Sequence, residues 1–281
     1  MSYSNFSTFA TEVKGAILTV TFNQPPINIQ SIAQLEDLEK IAEQLEGDRD
    51  IKVVVFQSNV PEFFIAHFDI AFLKDMSTKA VPRDKVELLY LQKVCQRISL
   101  LPQATIAKIE GFARGGGHEF ALACDMRFAA RGKAVFMQME VGMGILPCGG
   151  GASRMARQCG LGRALEVILS ARDFDADEAA RIGTVNRAID SDKIGKFVDD
   201  LAERIAKFPA DSITACKRTI YASIDKPIEE ALLEEAYQLY QATSKTPAIK
   251  RFTAAYESKF QYDLDNQREF EAKLLDIQEI N

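Results

Sequence analysis

Histidine is nearly absent from this chain. His67 and His118 are the only two in 281 residues, which leaves little material for a His-rich zinc site or a Ser-His-Asp triad. No Cys-x-x-Cys pair occurs among the five cysteines, Cys95, Cys124, Cys148, Cys159 and Cys216. An odd number of thiols without paired spacing points to reduced cysteines in a cytoplasmic setting. Cys124, inside an apolar helical run, reads as a small core residue. Long apolar runs are missing too. The longest, Phe63 to Leu73, is broken by His67 and Asp69 and falls short of the roughly 18 residues that a membrane span needs. The opening Met1-Ser-Tyr-Ser-Asn-Phe6 has neither a basic region nor an apolar signal core, so export is not expected. Basic residues are scattered and the net charge is −6. That disfavours nucleic-acid binding, because neutralising phosphates takes a basic face.

What is present suits a globular protein with a substantial core: 47% of residues are hydrophobic and 26% charged. Thr8 to Val13 and Ala16 to Phe22 read as strands of a hairpin across Lys14-Gly15. Ser31 and Gln34 have capping-box spacing, and Ile32, Leu35, Leu38, Ile41 and Leu45 predict a helix ending at Gly47. Ile51 to Phe56 reads as a buried strand. A short helix over Asp69 to Met76, a mobile loop over Ser77 to Lys85 and a helix over Val86 to Leu100 follow. Thr105 to Ile109 predicts a strand, His118 to Cys124 a helix and Met126 to Ala129 a strand. The order strand, turn, helix thus occurs twice, near 51–76 and 105–125, which implies an α/β core. Beyond Ser191 only helical patterns remain: Ile194 to Phe208, Ser212 to Ser223, Ile228 to Thr243, Pro247 to Phe260 and Leu264 to Ile277. Such a region serves equally as an oligomer contact or an intrachain lid.

Two segments carry the chemistry. In Gly111-Phe-Ala-Arg-Gly-Gly-Gly-His-Glu-Phe-Ala-Leu-Ala-Cys-Asp125 a glutamate, Glu119, follows three glycines. Glycines between a strand and a helix let backbone amides approach a ligand, and the first amides of a helix have no internal partners. The segment is neither a P-loop nor a dinucleotide fingerprint. By itself it reads first as close helix–strand packing, with Glu119 as a dipole partner or cap, and only second as catalysis. Glu140, in Phe136-Met-Gln-Met-Glu-Val-Gly-Met-Gly-Ile-Leu-Pro147, supplies a second carboxylate, and two acids beside exposed amides can move protons next to a carbonyl.

These segments resemble the crotonase family, the enoyl-CoA hydratase/isomerase proteins. Gly111 to Asp125 is similar to the family's glycine-rich motif. Ala134 to Phe136 through Glu140, Gly144, Pro147, Gly149, Gly150 and Arg154 resembles its second motif without a gap. Phe64-Ile-Ala-His-Phe-Asp-Ile70 resembles its Phe-x-Ala-Gly-x-Asp-Ile loop, and Ala176 to Val185 a later element. The likeness runs from about Thr11 to Lys259. It implies an α/β fold, a spiral of ββα units with active site over residues 1–205, and a helical C-terminal region for trimerisation or a lid over 206–281. The assembly implied is a homotrimer or a dimer of trimers.

The resemblance also assigns roles. The backbone amides of Phe68 and Gly116 would form an oxyanion hole for an acyl thioester. Glu119 would deprotonate water for attack at the β-carbon, and Glu140 would protonate the α-carbon. Ala66, Asp69, Ile70, Gly117, Arg114, Cys148, Tyr240 and Lys259 would contact substrate or coenzyme A, the last two by analogy with residues at the aromatic and intersubunit contacts. Coenzyme A enters as part of an acyl-CoA substrate; no bound cofactor, no metal, no nucleic acid and no membrane partner is implied.

Departures from the family pattern keep other readings in view. Glu62 stands where many relatives carry a lysine for coenzyme A, and Ala71 stands at an often basic position. Phe68 and Cys148 replace smaller residues. Arg114 either replaces a lost coenzyme A cation or meets a substrate carboxylate, or else makes a surface or intersubunit salt bridge. Adjacent side chains point different ways, so His67 and His118 are expected to be structural. Enoyl-CoA hydration leads. Isomerisation, coenzyme A-independent carbon–carbon hydrolysis and a non-catalytic acyl-CoA binding subunit are the alternatives.

Overall fold

In a computed structural model, which describes residues 3–74, 79–260 and 262–277, the initial hairpin pairs β1 (Phe9–Lys14) antiparallel with β2 (Ile17–Phe22). Helix α1 (Ile32–Glu46) buries Leu35, Leu38, Ile41 and Leu45. Only half of the expected capping box forms. Ser31 Oγ accepts from Gln34 N at 3.2 Å, whereas the Gln34 side chain donates to Gln24 Oε1. Strand β3 (Val53–Ser58) is parallel to β2, and the short β4 (Phe63–Ile65) begins a second sheet.

Helix α2 (Ile70–Leu73) is shorter than expected. Asp75 and Met76 of the expected helix, and Ser77 and Thr78 of the expected mobile loop, lie outside the described residues. The rest of that loop holds a 3-10 turn at Arg83–Lys85. Helix α3 (Tyr90–Leu100) starts at Tyr90, not Val86. Gln92 Oε1 accepts the Leu89 amide at 2.9 Å and caps the helix there, while Leu89 ahead of it goes to a cavity wall.

The chain then alternates between the sheets. Strands β5 (Ala104–Ile109) and β6 (Phe112–Arg114) lead into α4 (Gly116–Ala123). Strands β7 (Met126–Ala130) and β8 (Val135–Met137) lead, through a 3-10 turn at Glu140–Met143, into α5 (Gly151–Cys159) and α6 (Leu161–Ser170). The two strand–turn–helix units of the sequence are therefore ββα turns, and a third follows them. Strand β9 (Phe174–Asp175), α7 (Ala176–Ile182), β10 (Arg187–Ile189) and α8 (Ile194–Ala206) complete the core. One sheet runs β1-β2-β3-β5-β7-β10, the other β4-β6-β8-β9.

Phe22, Phe56, Phe64 and Phe120 meet in the core. Phe120 stands edge-on to Phe22 and Phe56, with centroids 5.6 and 5.1 Å away. On the outer face of the larger sheet, Val53, Val55, Ile106 and Phe128 pack with Ile194, Val198 and Ala202 of α8. Burial on both faces explains why β3 reads as a continuous apolar run.

Among the described residues five helices follow. Helix α9 (Ala210–Ser223) is tied to the core where Lys217 Nζ meets Asp125 Oδ2 at 2.8 Å and Tyr221 donates to Asp125 Oδ1 at 3.0 Å. Helices α10 (Ile228–Thr243) and α11 (Thr246–Glu257) come next. The single helix expected over Leu264 to Ile277 is broken into α12 (Leu264–Arg268) and α13 (Phe270–Lys273). The break at Glu269 lets Phe270 pack on Phe260, 4.8 Å between centroids. Among the described residues no helix is long and apolar enough to cross a membrane.

Candidate active site

Helix α4 is placed by its own sequence. Gly115, just before it, sits at φ 45° and ψ −122°, a region that side chains beyond glycine rarely enter. Its amide donates to Met137 O of β8 at 2.9 Å. All eight residues of α4 are buried, the ionisable His118 and Glu119 among them. Phe120 is driven into the aromatic core, and the neighbouring Glu119 faces a cavity of about 450 Å³.

The two acids are clasped crosswise. Glu119 Oε1 accepts from the amides of Gly149 and Gly151, at 2.7 and 2.8 Å, at the start of α5. Glu140 reaches back to the other segment, where a Cβ added at Gly115 would fall 3.0 Å from its Oε1. Both are nearly inaccessible, at 2% and 8% exposure. Burial pushes the Glu119 carboxyl up to about 7, the Glu140 charge adds to that, and the two glycine amides and Arg154 pull it down. Glu140 is likewise pushed up to about 7 by burial, against its own and the Met139 amide. Carboxyls so raised hold a proton near neutral pH yet can release it.

Phe68 and Gly116 both line this cavity. Gln30 bridges to Phe68 in a parallel pairing: Gln30 N donates to His67 O at 2.9 Å and Asp69 N to Gln30 O at 3.0 Å. That pairing uses the residues on either side of Phe68 and turns its own N–H away from Gln30. Gly116 is the first residue of α4, so its N–H has no partner within the helix. It is also where the Gln30 side-chain oxygen presses close, leaving no room for a Cβ. Phe68 and Gly116 thus share a cavity with the two acids, in a wall that is otherwise mostly apolar, built from side chains such as Ile32, Leu35, Phe72, Leu89 and Leu91.

The other residues singled out in the sequence divide. Ile70 and Cys148 line the same cavity as Glu119 and Glu140, and burial pushes the Cys148 thiol up to about 11, so it is a neutral wall group. Ala66 and Gly117 are packed behind it. The Ala66 amide donates to Asn28 O, and Gly117 lies against the Ile65 carbonyl. Asp69 caps α2 through the Ala71 amide at 2.8 Å. Arg114 turns away to pair with Asp173, Nε at 2.8 Å and Nη2 at 2.6 Å, over the Phe112 ring, so it takes the salt-bridge option and not the substrate one. Tyr240 and Lys259 are exposed on the C-terminal helical region and do not line the cavity of their own chain. Cys124 is buried as expected.

Sequence reasoning missed Lys74, which lines the cavity. It follows Ala71 by three residues, and i,i+3 neighbours share a helix face, so that spacing was the available signal. It also missed Gln138, fully buried two residues before Glu140, and the role of the Gly149 and Gly151 amides. Of the histidines, His67 lines the cavity with Nδ1 against Phe68 O at 2.9 Å, and His118 is wholly buried.

Comparison with known proteins is consistent across nearly the whole chain. Residues 12–275 match the family described as enoyl-CoA hydratase/isomerase. A short-chain-enoyl-CoA hydratase of Clostridium acetobutylicum is 31% identical over 249 residues, covering 88% of this chain and 94% of the relative. A crotonyl-CoA hydratase of Syntrophomonas wolfei is 32% identical over 237 residues, covering 84% and 88%. Among solved structures, an enoyl-CoA hydratase from Geobacillus kaustophilus superposes with a TM-score of 0.83 at 28% identity, covering 91% of this chain and 96% of that one.

Proposed function

The chain belongs to the enoyl-CoA hydratase/isomerase family of enzymes, and from that premise we propose that it adds water across the 2,3 double bond of an acyl-CoA thioester. The observation that carries the reading is the pair of buried acids, Glu119 and Glu140, both pushed up to about 7, over a largely apolar cavity. The thioester oxygen accepts from the Phe68 and Gly116 amides, which hold the negative charge that develops as C3 is attacked. Glu119, ionised and oriented by Gly149 and Gly151, takes a proton from water as the water oxygen bonds to C3. Glu140, protonated, gives its proton to C2. The two acids end with their protonation states exchanged and are reset through solvent.

The apolar wall accepts the acyl chain. Lys74 supplies a cation at the cavity for the coenzyme A phosphates, offsetting the Glu62 and Ala71 positions, and Tyr240 and Lys259 are assigned to a neighbouring chain's substrate. Exposed apolar side chains on α9, α10 and α11 support assembly as a homotrimer or a dimer of trimers. Five unpaired cysteines fit a cytoplasmic setting.

Turnover of short, long and branched enoyl-CoA thioesters in deuterated water tests the reading. The expected product is a 3-hydroxyacyl thioester carrying one deuterium at C2. Double-bond migration without hydration would replace it with an isomerase, and binding without turnover or exchange would replace it with a carrier.

A further inference from the structure

His118 and Gln138 are wholly buried beside Glu140 and take no part in the chemistry above. Gln138 lies between the His118 ring and the Glu140 carboxyl. With its amide turned so that nitrogen faces the carboxyl, Nε2 donates to Glu140 Oε2 at 3.0 Å and Oε1 at 3.2 Å, and its oxygen accepts from His118 Nδ1 at 3.2 Å. Against the ionised Glu140, an acceptor only, the opposite orientation would set amide oxygen on carboxylate oxygen, so in that state the partners decide it.

This arrangement needs a proton on His118 Nδ1. The ring packs against Phe136 and Phe174, with centroids 5.2 and 5.7 Å away, and its Nε2 is buried without a partner. With Nδ1 protonated that orphan is a lone pair. In the other tautomer it would be an N–H, and buried donors are the rarer group to leave unpaired. A doubly protonated ring is disfavoured by burial, which with the Arg127 charge pushes the imidazole down to about 3.

We infer that His118 is a positioning residue for Glu140: its Nδ1–H pins the Gln138 amide oxygen and so keeps the Gln138 nitrogen on the Glu140 carboxyl. The role in turnover rests on the hydratase reading; the pinning itself does not. A donor held on Glu140 favours its ionised form and opposes the effect of burial, which makes Glu140 a stronger acid toward C2. Unpinned, the amide can rotate and accept from the protonated carboxyl, and the acid weakens. The other titratable groups facing Glu140 are Glu119 of α4 and Cys148 ahead of α5. Arg154 of α5 acts on Glu119 and Arg127 of β7 on His118. Among the described residues no other side chain donates to Glu140.

Because the chain has only two histidines, 15N-histidine labelling of the unaltered protein reads the tautomer directly. His67 Nδ1 also faces a carbonyl oxygen, that of Phe68, so the His118 signal is assigned as the one that persists in His67→Gln: at pH 7 it is expected neutral with the proton on Nδ1, and an Nε2-protonated or charged His118 overturns the inference. In kinetics, His118→Leu is expected to lower kcat about tenfold, the scale of one hydrogen bond to a charged group. KM should stay within about twofold, and the alkaline limb of kcat should move to higher pH, since a weaker acid keeps its proton longer. His118→Asn, whose side-chain nitrogen can occupy the Nδ1 position, should restore most of the rate. Combined with Gln138→Leu, the His118→Leu change should add nothing; additive losses or an unmoved alkaline limb overturn the inference. If the unaltered enzyme hydrates no enoyl thioester, the functional reading fails, while the label experiment still decides the pinning. It also decides if His118→Leu does not fold.

Discussion

Helices α4 and α10 are both rich in apolar residues and use them in opposite ways. Every residue of α4 is buried within its own chain. Of the sixteen residues in α10 only Ala231 and Gln238 are buried, while Leu233 and Tyr240 remain 72% and 71% exposed. The core region that holds the two acids is thus complete as a single chain. The C-terminal region presents apolar surface that its own chain leaves open. A buried helix can hold a carboxyl in a low-polarity setting and shift its proton affinity; an open one can only offer area to a partner.

The largest expected effect tests the finished side of that comparison. Glu119→Gln should lower kcat for enoyl-CoA hydration about 10²- to 10⁴-fold. The same change should stabilise the fold above neutrality. Between the ordinary carboxyl value of 4.5 and the folded value of about 7, the native state holds a proton that the unfolded chain has released. Stability therefore falls as pH rises through that window. At pH 8 the variant should gain about 1–3 kcal/mol over the parent, with the gain vanishing towards pH 4. Thermal unfolding across pH measures this, and a variant no more stable at pH 8 contradicts the buried charge.

Next in size is a contrast between the two helices. Phe120→Ala removes a ring from the aromatic core and should cost about 3–5 kcal/mol in denaturant unfolding. Leu233→Glu should leave the core intact and shift sedimentation to smaller assemblies. A large loss of core stability from Leu233→Glu with unaltered assembly would reverse the comparison. The smallest effect is expected at Arg114→Ala. Its partner Asp173 is 48% exposed, and such pairs contribute about 0–1 kcal/mol. Because Arg114 faces away from the cavity, KM for acyl-CoA substrates should not change.

How much was legible depended on length and distance along the chain. Helix α1 and strand β3 are long enough to show a period or a solid apolar run. Strands β4, β6 and β8 have three residues each and β9 two, too few for any alternation to register, so the second sheet stayed hidden and the ββα turns read as strand, turn, helix. The Val86 to Leu89 pattern looked helical because apolar spacing does not say whether a residue faces a core or a cavity mouth. Arg114 was an open choice because an exposed cation reports nothing about its partner until Asp173, 59 residues on, is placed beside it.

The family, the α/β alternation, and the two acids with the glycines that precede one and follow the other were readable from the residues alone, because these are properties of residue type and local spacing. It took folding to bring Glu119 to the amides of Gly149 and Gly151, 30 and 32 residues away. Folding likewise set Gln138 between His118 and Glu140, Lys74 at the cavity and Arg114 outside it. The reason is physical: proton affinity and side-chain orientation come from burial and from groups brought near by folding, and a linear pattern carries the types and periods of residues but not which of them meet.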